Sequence, residues 1–303
     1  MTDMRVKLCG IELKNPVIAA SGTFGFGHEF EPYYDISILG GISVKGLTLK
    51  PRAGNAPPRI AETVSGMLNS VGLQNPGVDA FIEHELPYLR KFDTCVIANI
   101  SGNTPEEYGV MTKKLASAGL DMIEVNVSCP NVKAGGLAFG ISVDSVAEVV
   151  TEVKKYSGNV PVIVKLSPNV TDIVSIAKAA EAAGADCLSL INTLLGMRID
   201  VNTRRPVLGN VMGGLSGPAV FPVAVRMVYQ VARAVKVPVI GMGGIMTGEN
   251  AAEMMLAGAA VVSVGTASIV DPYACKRIAE ELKAYGEKHG ISGISSLTGG
   301  VIA

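Results

Sequence analysis

Short apolar runs recur along the chain, and each one ends in a polar residue or a glycine ahead of a stretch with helical periodicity. Eight runs follow this pattern: PVIAAS, GISVKG, TCVIAN, MIEVNVSC, VPVIVK, CLSLIN, VPVIGMGG and AVVSVGT. Short apolar runs rich in valine and isoleucine are typical of buried parallel strands. The pattern therefore predicts eight strands of one parallel sheet.

Helix signals lie between these runs. TPEEYGVMTKKLASAG begins with a capping residue, Thr104, followed by Pro105, and stops near Gly119. SVDSVAEVVTEVKKYSG has the same form, from Ser142 to Gly158, and VTDIVSIAKAAEAAG and TGENAAEMMLAG repeat it. A polar cap, proline in the first turn and glycine after the last turn are helix boundary signals. Strand–helix alternation repeated eight times predicts an α/β fold, specifically a (β/α)8 TIM barrel.

Two segments fall outside the repeat. Residues 1–15 predict a short N-terminal hairpin with its turn at Cys9 and Gly10, covering the lower end of the barrel. Residues 193–217, which contain NTRRPVLGN, are longer than a usual connection and predict an inserted hairpin or flap. Nothing resembling a linker divides the chain, so residues 1–303 are expected to form one barrel domain.

Composition excludes several classes of protein. The formal net charge is −1, which gives no electrostatic basis for nucleic-acid binding. No run reaches the ~20 apolar residues of a membrane span, and MTDMRVKLCGIELKNP lacks the apolar segment of a secretory signal. The five cysteines include no CxxC pair, so neither a zinc site nor an iron–sulfur site is expected in this chain. Reduced thiols and a cytoplasmic location are the simplest interpretation.

The residues that end the eight runs are candidates for a site. In such barrels the active site lies at the carboxyl ends of the strands. Any one strand can end in a polar residue for structural reasons alone. Two lysines, three asparagines and a cysteine on one rim favour a functional site instead. These residues are Lys45, Lys165, Asn99, Asn126, Asn192 and Cys129.

Glycines end the last two runs, in GMGGIMTGEN and SVGTAS. Gly243 and Gly244 allow close approach of the backbone, and Gly265 and Thr266 add further N–H donors. TIM barrels commonly bind phosphate at this place, although tight turns also use glycine. A phosphate here indicates a mononucleotide-type cofactor such as flavin mononucleotide (FMN).

Lys165, in VIVKLSP, sits near the end of an apolar run, where lysine is rarely buried without a partner. It is suited either to forming a Schiff base, as in aldolases, or to placing a positive charge against a flavin ring. Lys45 has the same character.

Cys129, in NVSCPN, has four possible roles from its residue type alone: packing, metal ligation, a disulfide or catalysis. On a rim with lysines, which lower a thiol's pKa, it is suited to act as a general base, and the glycine-rich segment after it is suited to cover the site. The other four cysteines lie in apolar or helical contexts and are expected to pack. Residues 65–77, SGMLNSVGLQNPG, predict a shaped loop in which Asn69 and Asn75 hold a polar ligand.

The motifs together resemble the class 1 dihydroorotate dehydrogenases of pyrimidine synthesis over residues 16–266. ASGTFGFG, SVKGLT, GMLNSVGLQNPG, NVSCPN, VKLSPN, INT and GGI occur in order. A cysteine in SCPN is similar to class 1, and GFGHEFEPYYD and GLQNPGVDAFIEHELPYL are closer to subclass 1B than to 1A.

This resemblance implies three sets of site residues. The FMN-contacting positions are Ser21, Lys45, Gly46, Asn99, Asn126, Lys165, Ile191, Gly217, Gly243, Gly244, Gly265 and Thr266. The substrate-contacting positions are Lys45, Asn69, Ser70, Val71, Gly72, Leu73, Asn126, Asn192 and Thr193. Cys129 corresponds to the base that takes a proton from C5 of dihydroorotate while a hydride leaves C6 for the flavin, giving orotate. No metal ligand is implied in this chain.

The resemblance to subclass 1B also implies a partner. This would be an electron-transfer subunit that carries FAD and an iron–sulfur cluster and reduces NAD, bound to a homodimer of this chain in a heterotetramer. Three alternatives are a fumarate-dependent class 1A enzyme, a flavoprotein like dihydropyrimidine dehydrogenase, and a Schiff-base aldolase using Lys165. A non-catalytic phosphate-binding barrel would leave Cys129 and both lysines unexplained.

Overall fold

Eight parallel strands close into a barrel in the computed structural model, which describes residues 1–127 and 139–302. Within these residues the strands in chain order are β1 (Val6–Leu8), β2 (Ile11–Leu13), β3 (Val17–Ala19), β4 (Gly41–Ser43), β5 (Ile60–Thr63), β6 (Gly66–Asn69), β7 (Cys95–Ile100), β8 (Met122–Asn126), β9 (Val162–Lys165), β10 (Cys187–Leu190), β11 (Leu194–Met197), β12 (Ile199–Asp200), β13 (Arg205–Pro206), β14 (Met212–Ser216), β15 (Val239–Met242) and β16 (Val261–Val264).

The α-helices of the same residues are α1 (Val78–Ala80), α2 (Leu86–Leu89), α3 (Pro105–Ser117), α4 (Val143–Tyr156), α5 (Ile173–Ala182), α6 (Phe221–Ala232), α7 (Gly248–Leu256), α8 (Thr266–Val270) and α9 (Ala274–Lys288). A π-helical turn, Phe81–Glu85, joins α1 to α2, and four 3₁₀ turns lie at Ile36–Ile38, Phe139–Ile141, Pro218–Val220 and Ile294–Leu297. None of the described helices is long and apolar enough to cross a membrane.

The barrel strands are the eight apolar runs of the sequence. Their order around the barrel is β3-β4-β7-β8-β9-β10-β15-β16, and β16 pairs back onto β3. Strands such as β3, β9 and β16 are buried along their whole length, as expected when helices cover the outside and side chains fill the inside. The predicted (β/α)8 barrel is confirmed.

The predicted helix starts are confirmed in detail. Thr104 caps α3 by accepting a hydrogen bond from the backbone N–H of Glu107, and Ser142 caps α4 in the same way through Ser145. Thr247 caps α7 through Asn250. These side chains satisfy N–H groups that have no partner inside the helix.

The N-terminal hairpin is also confirmed. Strands β1 and β2 pair antiparallel, and Cys9 and Gly10 both have positive φ, as a tight two-residue hairpin turn requires. Leu8 and Leu13 are buried in the main core, and the Cys9 thiol lies 3.3 Å from the carbonyl oxygen of Asp186, just before β10 begins. The hairpin therefore covers the end of the barrel where the strands start.

The insertion at 193–217 forms part of a second sheet. Strands β11 and β14 pair antiparallel, and the sheet continues through β6 to β5. Between β11 and β14, strands β12 and β13 make a small two-stranded ribbon. The flap is therefore a folded sheet near the mouth of the barrel, and its β6–β14 pairing fastens the insertion to an earlier part of the chain.

The treatment of residues 65–77 as a loop is partly wrong. Residues Gly66–Asn69 are strand β6, which pairs with both β5 and β14, and only the residues after Asn69 are irregular. The hairpin of β5 and β6 was missed because its two strands are short and the polar pair Glu62 and Thr63 interrupts the apolar pattern.

Gly40, just before β4, provides a test of how tightly the barrel is packed. A Cβ added there would overlap the carbonyl oxygen of Asn15, and backbone cannot yield as a side chain can. We expect Gly40→Ala to lower the free energy of unfolding by about 2–3 kcal/mol in chemical denaturation. Gly293→Ala is the control, because a Cβ there would come no closer than 3.9 Å to Ser295 Oγ, and we expect a change below ~0.5 kcal/mol. Equal losses in both variants would contradict this account.

Candidate active site

The carboxyl ends of the barrel strands open into one cavity of about 230 Å³. The sequence-predicted site residues that line it are Ser21, Lys45, Asn69, Val71, Gly72, Leu73, Asn126, Lys165, Ile191, Asn192, Thr193, Gly243, Gly244, Gly265 and Thr266. These residues come from the ends of seven barrel strands and the connections that follow them. These segments are far apart along the chain, and closure of the barrel brings them together. Ile60, Met67 and Leu215 of the second sheet also line the cavity, so that sheet forms part of its wall.

Four predicted residues lie behind the lining and do not form it: Gly46, Ser70, Asn99 and Gly217. Asn99 and Ser70 are fully buried. A Cβ added at Gly46 would come within 3.0 Å of Asn99 Oδ1, so this glycine lets the chain pass close to the asparagine. Gly217 O would lie 2.8 Å from a Cβ added at Gly244, which places Gly217 directly behind the Gly243–Gly244 turn.

Cys129, the predicted base, lies outside the described residues. The remaining cysteines fit their predicted packing role. Burial raises the pKa of the Cys95 and Cys275 thiols to about 12, so both stay protonated and unreactive near neutral pH. Cys187 is fully buried as well, and burial raises the pKa of its thiol.

Lys165 ends strand β9 and reaches the cavity from within the barrel. It is 6% exposed, and its Nζ lies 4.0 Å from Oε2 of Glu124 on β8. In the strand register it pairs with Asn126 on one side and with Ser189 on the other. The site therefore holds a buried cation, as predicted, with an acidic partner that the sequence analysis did not identify.

Glu124 was missed, although the sequence carried a signal for it. In MIEVN it lies two positions before Asn126, so in a strand both side chains point to the same side. A carboxylate inside an apolar run that shares the inward face with a rim residue indicates a buried partner for a cation.

Amide side chains occupy the neighbouring part of the cavity. Asn192 Nδ2 lies 3.3 Å from Asn126 Oδ1, and Asn192 Oδ1 accepts a hydrogen bond from the backbone N–H of Thr193 at 2.8 Å. Asn69, at the end of β6, is held more weakly, with Nδ2 3.5 Å from the carbonyl oxygen of Gly214. Amides that both donate and accept suit a ring bearing carbonyl and N–H groups.

Asn75 does not hold a ligand as the sequence analysis predicted. Its Oδ1 accepts hydrogen bonds from the backbone N–H groups of Thr48 and Gly77, at 3.1 and 2.8 Å. Its Nδ2 donates to Thr48 Oγ1 and to the carbonyl oxygen of Leu73. The amide of Asn75 is engaged in these hydrogen bonds, which fix the loop that carries Gly72 and Leu73 to the cavity.

The glycine turn after β15 has the geometry expected of a close-approach site. Gly243 and Gly244 have φ values of 120° and 77°, which favour glycine strongly. A Cβ at Gly244 would come within 2.7 Å of Phe221 Cβ, so the turn is also tightly packed from behind. At Gly265, by contrast, the nearest atom to an added Cβ is Ala20 Cβ at 3.6 Å, an ordinary van der Waals contact, so this backbone is packed less tightly.

Comparison with known proteins decides which family this site belongs to. The family model described as dihydroorotate dehydrogenase matches residues 3–285. The chain belongs to the dihydroorotate dehydrogenase family. A relative from Alkaliphilus metalliredigens, named dihydroorotate dehydrogenase B (NAD(+)), catalytic subunit, is 58% identical over 297 residues, which cover 98% of both chains. A relative of the same name from Geobacter sp. strain M21 is 59% identical and covers 98% of this chain and 97% of its own.

The family predicted from the motifs is therefore confirmed, and the relatives' names match the predicted NAD-dependent type. Membership of the dihydroorotate dehydrogenase family implies FMN as the cofactor. The residues present fit that group. Asn99 Oδ1 and Ser70 Oγ are buried and have no hydrogen-bond partner among the described residues, so two polar atoms directly behind the cavity wall are not satisfied by them. The glycine turn at one end and the lysine beside a buried carboxylate at the other suit a phosphate and a redox-active ring.

Lys165→Met tests the cation, because methionine keeps most of the side-chain volume and removes the charge. We expect the FMN dissociation constant of the apoprotein, measured by fluorescence titration, to rise on the order of 10- to 100-fold, since one charge-assisted contact is lost. Lys178→Met, on the exposed face of α5, is the control and should bind FMN as wild type does. Equal FMN affinity of the Lys165→Met variant and wild type would contradict the assignment of Lys165 to the cofactor.

Proposed function

We propose that this chain oxidises dihydroorotate to orotate in de novo pyrimidine synthesis, as the FMN-containing catalytic subunit of an NAD-dependent dihydroorotate dehydrogenase. The observation that carries the proposal is the near-complete match to relatives bearing that name, at 55–59% identity over 98% or more of this chain. The cavity at the strand ends described above is the place where that reaction would occur. Residues 1–303 would act as one FMN-binding barrel domain.

In this proposal FMN supplies the hydride acceptor for C6 of dihydroorotate. The glycine turn at 243–244 and residues 265–266 would hold its phosphate through backbone N–H groups. Ser21, Lys45, Asn126 and Ile191 would contact the ring from the strand ends. Lys165 would stabilise negative charge on the reduced ring, because a buried cation acts at low dielectric without reorganising. Gly46, Asn99 and Gly217 would support this set from behind.

The substrate would lie between the amides and the second sheet. Asn69, Asn126 and Asn192 would pair with the carbonyl and N–H groups of the pyrimidine ring, and Thr193 would extend this set. Lys45 would oppose the carboxylate of the substrate. Residues 70–73, which approach through the loop fixed by Asn75, would complete the pocket. Loss of a proton from C5 and of a hydride from C6 turns dihydroorotate into orotate.

Cys129 is proposed as the base that takes the proton from C5. The aldolase alternative requires a neutral amine at Lys165, because a Schiff base forms from the unprotonated nitrogen. An ammonium 4.0 Å from a buried carboxylate fits a charge-stabilising role better than a nucleophilic one. The fumarate-dependent and dihydropyrimidine dehydrogenase-like alternatives are disfavoured by the names of the relatives.

We also propose that the electrons leave this chain through a partner. The words "catalytic subunit" in the names of the relatives imply a second subunit. That subunit would carry FAD and an iron–sulfur cluster and would reduce NAD, with a homodimer of this chain at the centre of a heterotetramer. The cytoplasmic location predicted from the sequence stays a prediction.

Turnover with different electron acceptors tests the function. We expect the purified chain to oxidise dihydroorotate rapidly with a redox dye and to reduce NAD far more slowly, because the path to NAD runs through the partner. Co-expression with the partner should restore NAD reduction and add iron–sulfur absorbance. Absence of dye-linked turnover in the FMN-loaded chain would contradict the reaction. Rapid NAD reduction by the chain alone would contradict the need for a partner, and rapid fumarate reduction would favour the class 1A type.

Cys129→Ala tests the base. We expect FMN and orotate to bind as in wild type, while the rate of flavin reduction by dihydroorotate in stopped flow falls ~10²–10⁴-fold, the usual contribution of a positioned base. Cys9→Ala is the thiol control, because Cys9 lies at the opposite end of the barrel. If Cys129→Ala reduced its flavin as fast as Cys9→Ala, another group would be the base.

A further inference from the structure

We propose that Glu124, inside the barrel beneath the cavity, is a positioning residue for the flavin site. It supplies the counter-charge to the buried Lys165, and it fixes the side-chain amide of Asn99 in one orientation. The role of the pair toward flavin rests on the proposed function, whereas the pairing itself is a property of this chain.

Three donors from three different strands surround the carboxylate of Glu124. Ser43 Oγ on β4 donates to Oε2 at 2.9 Å, Asn99 Nδ2 on β7 donates to Oε2 at 2.6 Å, and Ser189 Oγ on β10 donates to Oε1 at 2.7 Å. Glu124 is 3% exposed. Both oxygens accept hydrogen bonds, which is the bonding pattern of a carboxylate, and the network fixes this group at the centre of the barrel.

Lys165 provides the positive charge that pairs with the carboxylate of Glu124. Among the described buried residues, Glu124 and Lys165 are the two with charged side chains. Each therefore compensates the charge of the other. Their 4.0 Å separation is longer than a hydrogen bond. The carboxylate therefore balances the charge of Lys165 without a direct hydrogen bond, and Lys165 also lines the cavity.

The described residues that surround Lys165 include no other acidic side chain that could pair with it. The neighbouring strand β10 contributes Ser189 beside Lys165 and Cys187 one inward position lower, where burial raises the pKa of the thiol and keeps it neutral. On β8, the side chain beyond Glu124 is the neutral Asn126. Lys45, on the rim after β4, lines the same cavity and is itself positive. Among the described buried residues, Glu124 is thus the acid that can balance the charge of Lys165.

The same carboxylate orients Asn99. A carboxylate only accepts, so the NH₂ end of the amide must face Glu124, and Oδ1 must face away. Oδ1 is buried, has no donor among the described residues, and lies against the Gly46 backbone. Glu124 therefore fixes the orientation of the Asn99 amide behind the cavity wall, with Oδ1 toward Gly46.

The first experiment needs no flavin. In the apoprotein, Glu124→Gln leaves the Lys165 ammonium buried without its counter-charge, so we expect a clear fall in Tm by calorimetry. Adding Lys165→Met should raise Tm above that of Glu124→Gln alone, because removing both partners costs less than removing one. Additive losses in the double variant would overturn the pairing. If Glu124→Gln does not fold, folding of the double variant supports the pairing, and failure of both overturns it.

The second experiment links the pair to FMN. Glu124→Gln removes a negative charge beneath the cavity and leaves Lys165 without its counter-charge. The midpoint potential of bound FMN should then rise relative to wild type, because negative charge on the reduced ring is stabilised more strongly.

Two controls make this result specific. Ser189→Ala removes a neutral donor from the same carboxylate and should keep the wild-type potential. The double variant with Lys165→Met should lose the rise. An unchanged potential in Glu124→Gln would overturn the link between the pair and the cofactor. If the apoprotein cycle shows coupling but the protein binds no FMN, the pairing stands and the proposed function fails.

Discussion

Closure of the barrel is the constraint on which the site depends. Strand β16 pairs with β3 in parallel register, with Val262 opposite Val17 and Val264 opposite Ala19. This pairing joins parts of the chain more than 240 positions apart, and it brings Ser21 and Gly265 to one rim. Because parallel strands end on the same side, seven of the eight runs contribute a residue to the same cavity. A change that separated β16 from β3 would move the residues that line the cavity away from one another.

The interior of the barrel has an apolar part, which stabilises the fold, and a polar part, which contributes little to stability. The lower layers are apolar, with Ile163 and Met122 fully buried. The upper layer carries Glu124, Lys165 and several hydroxyl and amide groups, which gain little stability compared with packed apolar side chains. These polar and charged groups lie where the strands end, next to the cavity, because there their charges and dipoles can act on a ligand. The hairpin of residues 6–13 and the helices outside supply apolar burial that offsets the cost of burying them.

The sequence predicted whatever depends on local pattern. Apolar runs located the strands, and Thr104, Ser142 and Thr247 located helix starts through caps that act within three residues. It failed where the outcome depends on distant partners. Strand β5 has a weak pattern of its own and exists because β6 and β14 continue its sheet. Asn75 looked like a ligand-binding amide, because its bonds to Thr48 cannot be seen without the fold. Glu124 was overlooked because its partners come from four other strands.

The central claim is that this cavity holds FMN and dihydroorotate together, in contact and in a reactive arrangement. An anaerobic titration of the FMN-loaded chain with dihydroorotate tests it most directly, because it needs neither a partner nor an external acceptor. The account predicts that the visible flavin band bleaches with one molecule of dihydroorotate consumed and one of orotate formed per FMN. A chain that binds FMN in this cavity but keeps the oxidised spectrum with excess dihydroorotate would contradict it.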